Sequence, residues 1–248
     1  IGTDLLRKVV ENLREEIIAL LELRDEICAF LKRRYSLEYS GKSEVLITVG
    51  GSEGIDAAIR ALVGFGDEVI IPQPSFVCYE PIVRLAGGVP VTVELKAENE
   101  FRLTAEELRA AITDKTKLLV FPFPCNPTGA IMEKKDLEAI ADVLRGTDIC
   151  VLSDEIYSEL TYGDSKHISI ASLDGMKERT VLINGFSKTY SMTGWRMGYA
   201  CAPAPIIAQM TKIHQFAIMS APTTSQYAAV EALRNGDDDD ATMVAEYD

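Results

Sequence analysis

The chain has 248 residues, 47% of them hydrophobic, 7% aromatic and 25% charged, a balance that fits a globular protein of one or two domains with enough apolar residues for a real core. Its 38 acidic against 25 basic residues give a formal charge of −13, and no Lys/Arg cluster interleaves with aromatics, which argues against a nucleic-acid partner. No apolar run approaches the roughly 18 to 20 residues that span a bilayer, and the N-terminal stretch alternates charge with hydrophobe, so no membrane association and a cytoplasmic location are expected.

From Leu5 to about Tyr35, apolar residues recur at helical spacing (Leu6, Val9, Val10, Leu13, Ile17, Leu20, Leu21, Ile27, Phe30, Leu31), predicting one long or two abutting amphipathic helices. After Gly41 the texture changes to short β-rich runs at 45–49, 68–71, 89–93, 117–121, 149–153, 180–184 and 199–202. Helical patterns fall between most of them, at 54–62, 76–85, 105–112, 133–144, 205–216 and 223–233. This alternation predicts an α/β fold, a mostly parallel seven-stranded sheet sandwiched by helices. The chain then divides into an N-terminal amphipathic helix region (1–35), a large domain (36–236) and an acidic C-terminal tail or truncated helix (237–248). The run Asp237 to Asp240 reads as a solvated, helix-breaking turn or tail rather than a metal site. Cys28, Cys78, Cys125, Cys150 and Cys201 are widely spaced, with only His167 and His214 to assist them, and read as buried reduced thiols with no metal.

In an open parallel sheet, ligands bind beyond the carboxyl ends of the strands, so the residues that follow each strand are the informative ones. After the first comes Gly50-Gly51-Ser52-Glu53-Gly54, a glycine-rich entry to a helix whose N–H groups suit a phosphate, although such turns are common. After the second comes Pro72-Gln73-Pro74-Ser75-Phe76, where Phe76 is either plain core or a ring over the crevice. The fourth runs into Pro122-Phe123-Pro124-Cys125-Asn126-Pro127-Thr128-Gly129, a stiff turn that immobilises the Asn126 amide. The fifth ends at Asp154, a helix cap or a ligand-facing carboxylate, with Tyr157 three residues on. After the sixth stand Gly185-Phe186-Ser187-Lys188 and, eight residues past the lysine, Arg196 in Met192-Thr193-Gly194-Trp195-Arg196-Met197-Gly198.

The stretch Gly185 to Gly198 matches a lysine signature of Gly or Ser, an apolar residue, a small residue, the lysine, and then a spaced Gly-x-Arg-apolar-Gly. In this the chain resembles the class I/II aminotransferases, the aspartate-aminotransferase-like group of fold-type-I pyridoxal phosphate (PLP) enzymes, from about Ser36 to Leu233. The resemblance implies that Lys188 holds PLP as a Schiff base and moves the substrate's Cα proton. It implies that Arg196 clamps the phosphate with Gly51, Ser52 and the Glu53 backbone amide, the Glu53 side chain pointing away. Asp154 would pair with the pyridine nitrogen, Asn126 and Tyr157 with the phenolic oxygen, and Phe76 would stack on the ring. The implied activity is amino-group transfer between an amino acid and a 2-oxo acid, in a homodimer whose segment Ser220 to Ser225 approaches the partner's site.

The chain also departs from that pattern. Gly185 stands where some members carry a phosphate-touching serine, and Arg14 and Ala19 stand where Tyr and Gly precede a Leu-x-Glu-Leu-Arg segment kept as Leu20 to Arg24. Thr3 to Ile18 reads as a substitute helix rich in Leu, Glu, Arg and Lys, and the small C-terminal domain carrying a carboxylate-binding arginine is not in the sequence. These departures lead to the expectation of an isolated or engineered PLP-binding domain with weakened activity. Alternatives are a PLP-binding module with little turnover, a PLP lyase or racemase, and a purely structural α/β domain.

Overall fold

The computed structural model describes residues 19–247, so the predicted helix over Thr3 to Ile18 and the position of Arg14 lie outside the described residues. Helix α1 (Leu21–Tyr35) comes first, entered through Ala19, whose φ of 71° is a left-handed conformation that an alanine adopts only with strain. That is the position where the family pattern carries glycine. Strand β1 (Val45–Thr48) leads into α2 (Gly51–Leu62), and β2 (Glu68–Gln73) into α3 (Tyr79–Leu85). Then follow β3 (Val89–Glu94), α4 (Ala105–Ala111), β4 (Thr116–Phe121), α5 (Lys134–Leu144), β5 (Cys150–Asp154), β6 (Thr180–Gly185), the single turn α6 (Phe186–Thr189) and β7 (Gly198–Cys201). Three helices complete the described chain: α7 (Ala204–Ala217), α8 (Thr223–Asn235) and α9 (Asp237–Tyr247).

All seven predicted strands form one sheet in the order β1-β7-β6-β5-β4-β2-β3. The pairs β6/β5, β5/β4, β4/β2 and β2/β3 are parallel, whereas β7 runs antiparallel to both β6 and β1. The sheet is buried on both faces because its residues alternate. Leu118 and Val120 of β4 pack with α2 and α7, while Leu119 and Phe121 pack with α4 and α5. Beside β1, β6 and β7, a third cluster joins α1 and α8 through Leu23, Ile27, Ala229 and Leu233. Burying each leucine or isoleucine among them stabilises the fold by about 1.5 to 3 kcal/mol, more than the surface ion pairs that accompany it.

Several boundaries differ from the sequence reading by a few residues, and two differences have identifiable reasons. Helix α3 begins at Tyr79 rather than at Phe76, because Pro81 lacks an N–H and is tolerated only in a helix's first turn. The run Asp237 to Asp240 is not a helix-breaking turn: it forms the first turn of α9, where negative side chains face the positive end of the helix dipole. Asp237 also pairs with Arg33 at 3.2 Å and Arg34 at 3.3 Å on α1.

Candidate active site

Strands β1, β2, β4, β5 and β6 point the same way, and antiparallel β7 starts where they end, so the loops of six strands converge on one edge. They enclose a cavity of about 220 Å³. Of the residues singled out in the sequence, Gly51, Ser52, Phe76, Asn126, Asp154, Tyr157, Lys188 and Arg196 all line it, and Glu53 does not.

One end of the cavity is made of backbone. Gly50 has a φ of 78°, which breaks β1 and starts α2 at Gly51, so the amides of the first helical turn lack intrahelical partners and can serve an anion. Gly198 pairs with Thr48 on one side and Gly185 on the other, and a Cβ there would lie 2.5 Å from the Gly50 carbonyl carbon. Only glycine therefore lets β7 approach the turn. Arg196, two residues earlier, reaches the same turn: a Cβ on Gly50 would stand 2.6 Å from its Nη2. Its Nη1 donates to the Thr193 carbonyl at 3.0 Å, which orients the guanidinium.

The opposite end is made of buried side chains. Asp154 ends β5 and is only 6% exposed. Burial raises its pKa from the usual 3.8 to about 6, against hydrogen bonds donated by the Tyr79 hydroxyl at 2.7 Å and the Ile156 amide at 3.3 Å. The sequence reading missed Tyr79. The available signal was an aromatic hydroxyl three residues past Phe76, but its partner lies 75 positions away. Behind Asp154, Glu155 is buried and accepts from Ser153 at 2.8 Å and Ser169 at 2.7 Å, with His167 Nε2 at 2.8 Å. That network fastens the loop that carries Tyr157.

Between the two ends, Lys188 places its Nζ 5.5 Å from the centre of the Tyr157 ring. Asn126 Nδ2 lies 3.4 Å from the Tyr157 hydroxyl, so the two polar groups face the cavity from one side. Phe76 lines the cavity edge-on to Tyr79, their centroids 6.2 Å apart. The Glu53 side chain is engaged elsewhere: Oε2 accepts from the Val49 amide at 2.5 Å and Oε1 meets His214 Nδ1 at 2.5 Å. Among the described residues no group of His, Cys, Asp and Glu could hold a metal, and all five cysteines are free.

Residues 12–247 match the family model for aminotransferase class I and II. The chain belongs to that family. It is 48% identical to an aspartate aminotransferase of Pyrococcus abyssi over 218 residues, 88% of this chain and 56% of that protein. Among solved structures, an aromatic aminotransferase from Pyrococcus horikoshii superposes with a TM-score of 0.89 at 45% identity, covering 96% of this chain and 64% of the other. An N-succinyldiaminopimelate aminotransferase from Mycobacterium tuberculosis gives 0.90 at 34% identity, covering 96% and 63%. The chain thus spans little more than half the length of these curated relatives, and the family match begins inside the stretch read as a substitute helix.

The family depends on PLP, and the residues present fit that group. The cavity has room for one substituted ring and a phosphate. Asp154 is a buried carboxylate whose hydrogen-bond donors among the described residues, Tyr79 and the Ile156 amide, are neutral, which suits a cationic ring nitrogen. The other end offers amides and a guanidinium, donors suited to a phosphate dianion.

Proposed function

We propose that this chain carries the cofactor site of an enzyme that transfers an amino group between an amino acid and a 2-oxo acid. The observation that supports it best is a single small cavity bounded by an amine, Lys188, a buried carboxylate, Asp154, and a helix N-terminus flanked by Arg196. When bound, PLP supplies an electron sink for the charge that develops at the substrate's Cα.

Each residue then has a defined task. Arg196 and the first-turn amides of Gly51 and Ser52 bind the phosphate; Glu53, which does not line the cavity, is not among them. Asp154, with a pKa of about 6, is ionised at neutral pH and holds a proton on the pyridine nitrogen, while Tyr79 fixes the orientation of its carboxylate. Asn126 and Tyr157 donate to the phenolic oxygen, and Phe76 covers one face of the ring. Lys188 would hold the cofactor through its side-chain amine and, once the substrate's own amine has displaced it, that freed amine would serve as the general base that takes up and returns the substrate's proton.

The same reading carries a homodimer and a cytoplasmic location. Phe216, Ile218 and Met219 stand exposed at the end of α7, next to the segment Ser220 to Ser225, and form an apolar surface for a second copy. The five free thiols fit a reducing compartment, and among the described residues no helix is long and apolar enough to cross a membrane.

The test is a half-reaction. PLP-loaded full-length protein is mixed with aspartate, glutamate or phenylalanine without an acceptor, because the relatives' names span acidic and aromatic donors. Loss of the Lys188-dependent absorbance band, with one equivalent of 2-oxo acid released, is the expected result. Sustained pyruvate release from a β-substituted alanine would favour a lyase, and no response to any amino acid would contradict transfer.

A further inference from the structure

We propose that Glu53 and His214 form a positioning pair that sets the phosphate-binding turn, Glu53 acting through its side chain and away from the ligand. The inference rests on the PLP-site reading above and names how this chain holds that site's anion-binding end.

The turn is closed by three hydrogen bonds. Thr48 Oγ1 donates to the Gly50 carbonyl at 2.9 Å, the Gly50 amide donates to the Thr48 carbonyl at 2.9 Å, and the Val49 amide donates to Glu53 Oε2 at 2.5 Å. Val49 and Gly50 thereby satisfy their amides inside the protein. The amides at the start of α2 are left to face the cavity. Glu53 reaches back from the first turn of α2 to the Val49 amide, so its carboxylate links the strand end to the helix start.

A carboxylate in that first turn would by itself oppose a phosphate dianion, since like charges disfavour each other at close range. His214 resolves the conflict. It lies on α7, fully buried, with Nδ1 2.5 Å from Glu53 Oε1, and it draws the carboxylate to the side of α2 away from the cavity. Its other nitrogen, Nε2, has no hydrogen-bond partner among the described residues. An unpaired buried polar atom is destabilising, a cost an apolar residue packed there would not carry. The histidine's polar engagement is with Glu53, which is what a positioning role requires.

The test compares two ligands on the full-length protein: PLP, and pyridoxal, which has the same ring and aldehyde but no phosphate. Affinities come from absorbance titrations of wild type, Glu53→Ala, Glu53→Gln and His214→Leu. Glu53→Ala and His214→Leu are each expected to weaken PLP about tenfold, the equivalent of about 1.4 kcal/mol, while pyridoxal affinity stays within about twofold. Glu53→Gln, which keeps an acceptor for the Val49 amide, should lose less. An equal loss for both ligands would mean a general structural effect, and no loss for either would mean no role; both overturn the proposal. Should Glu53→Ala fail to fold, His214→Leu makes the same comparison with the turn's own sequence intact. Wild type that binds neither ligand through Lys188 would instead remove the site reading itself.

Discussion

The two ends of the cavity are built on opposite physical principles. At the end proposed for the phosphate the available groups are backbone amides and a partly solvated arginine, positioned by glycine at 50 and 198 and by the register of β7 between β1 and β6. At the end proposed for the ring they are side chains, Asp154 and Tyr79, whose chemistry comes from their burial. The first end depends on shape and tolerates water, whereas the second depends on the exclusion of water. Damage at the phosphate end should therefore appear as lost affinity and stability, and damage at the ring end as lost rate and altered pH dependence.

The largest expected effect follows from removing the buried charge. Asp154→Asn keeps the shape but cannot hold a proton on the pyridine nitrogen, and turnover should fall by roughly 10²- to 10³-fold, in the range seen when a preorganised electrostatic group is removed. Single-turnover kinetics at saturating PLP measure it, and an unchanged rate would place the electronic role elsewhere.

The same residue predicts a stability profile for the cofactor-free protein. Its pKa is higher folded than unfolded, so between 3.8 and about 6 the folded state holds a proton that the unfolded chain has released. Stability therefore falls as pH rises through that window, by about 3 kcal/mol in all, and the loss is complete above it. Denaturant melts at about pH 4.5 and about pH 7 should show this slope in wild type and not in Asp154→Asn. Equal slopes would mean that Asp154 is not buried as described.

At the other end, Gly198→Ala pushes a methyl into the Gly50 backbone, which cannot move as a side-chain tip would. A loss of about 1 to 3 kcal/mol in thermal stability is expected, accompanied by weaker PLP binding. The smallest change is Tyr79→Phe, which deletes one hydrogen bond to Asp154 and should cost about 1 kcal/mol. It should raise the carboxyl's pKa further, since that hydrogen bond lowers it, and shift the pH–rate profile upward without changing phosphate affinity.

Legibility in the sequence follows the same division. The phosphate end is local: Gly50-Gly51-Ser52 and Arg196-Met197-Gly198 are short, contiguous patterns whose glycines signal a backbone purpose, and the seven strands were readable from their apolar runs. That Lys188, Asp154, Asn126 and Tyr157 line one cavity is legible because each follows a strand that the parallel topology aims at one edge. Tyr79 and His214 were not, since each acts through a partner contributed by a different element. The acidic run at 237–240, which the sequence leaves as a turn, tail or truncated helix, is helical because the helix dipole and the arginines of α1 offset its clustered charge.

The most direct test of the central claim is borohydride reduction of the PLP-loaded full-length protein followed by peptide mapping. Label on Lys188 alone, absent in Lys188→Ala, is the expected result. Label on another lysine, or none at all, would contradict the assignment of this cavity as the cofactor site.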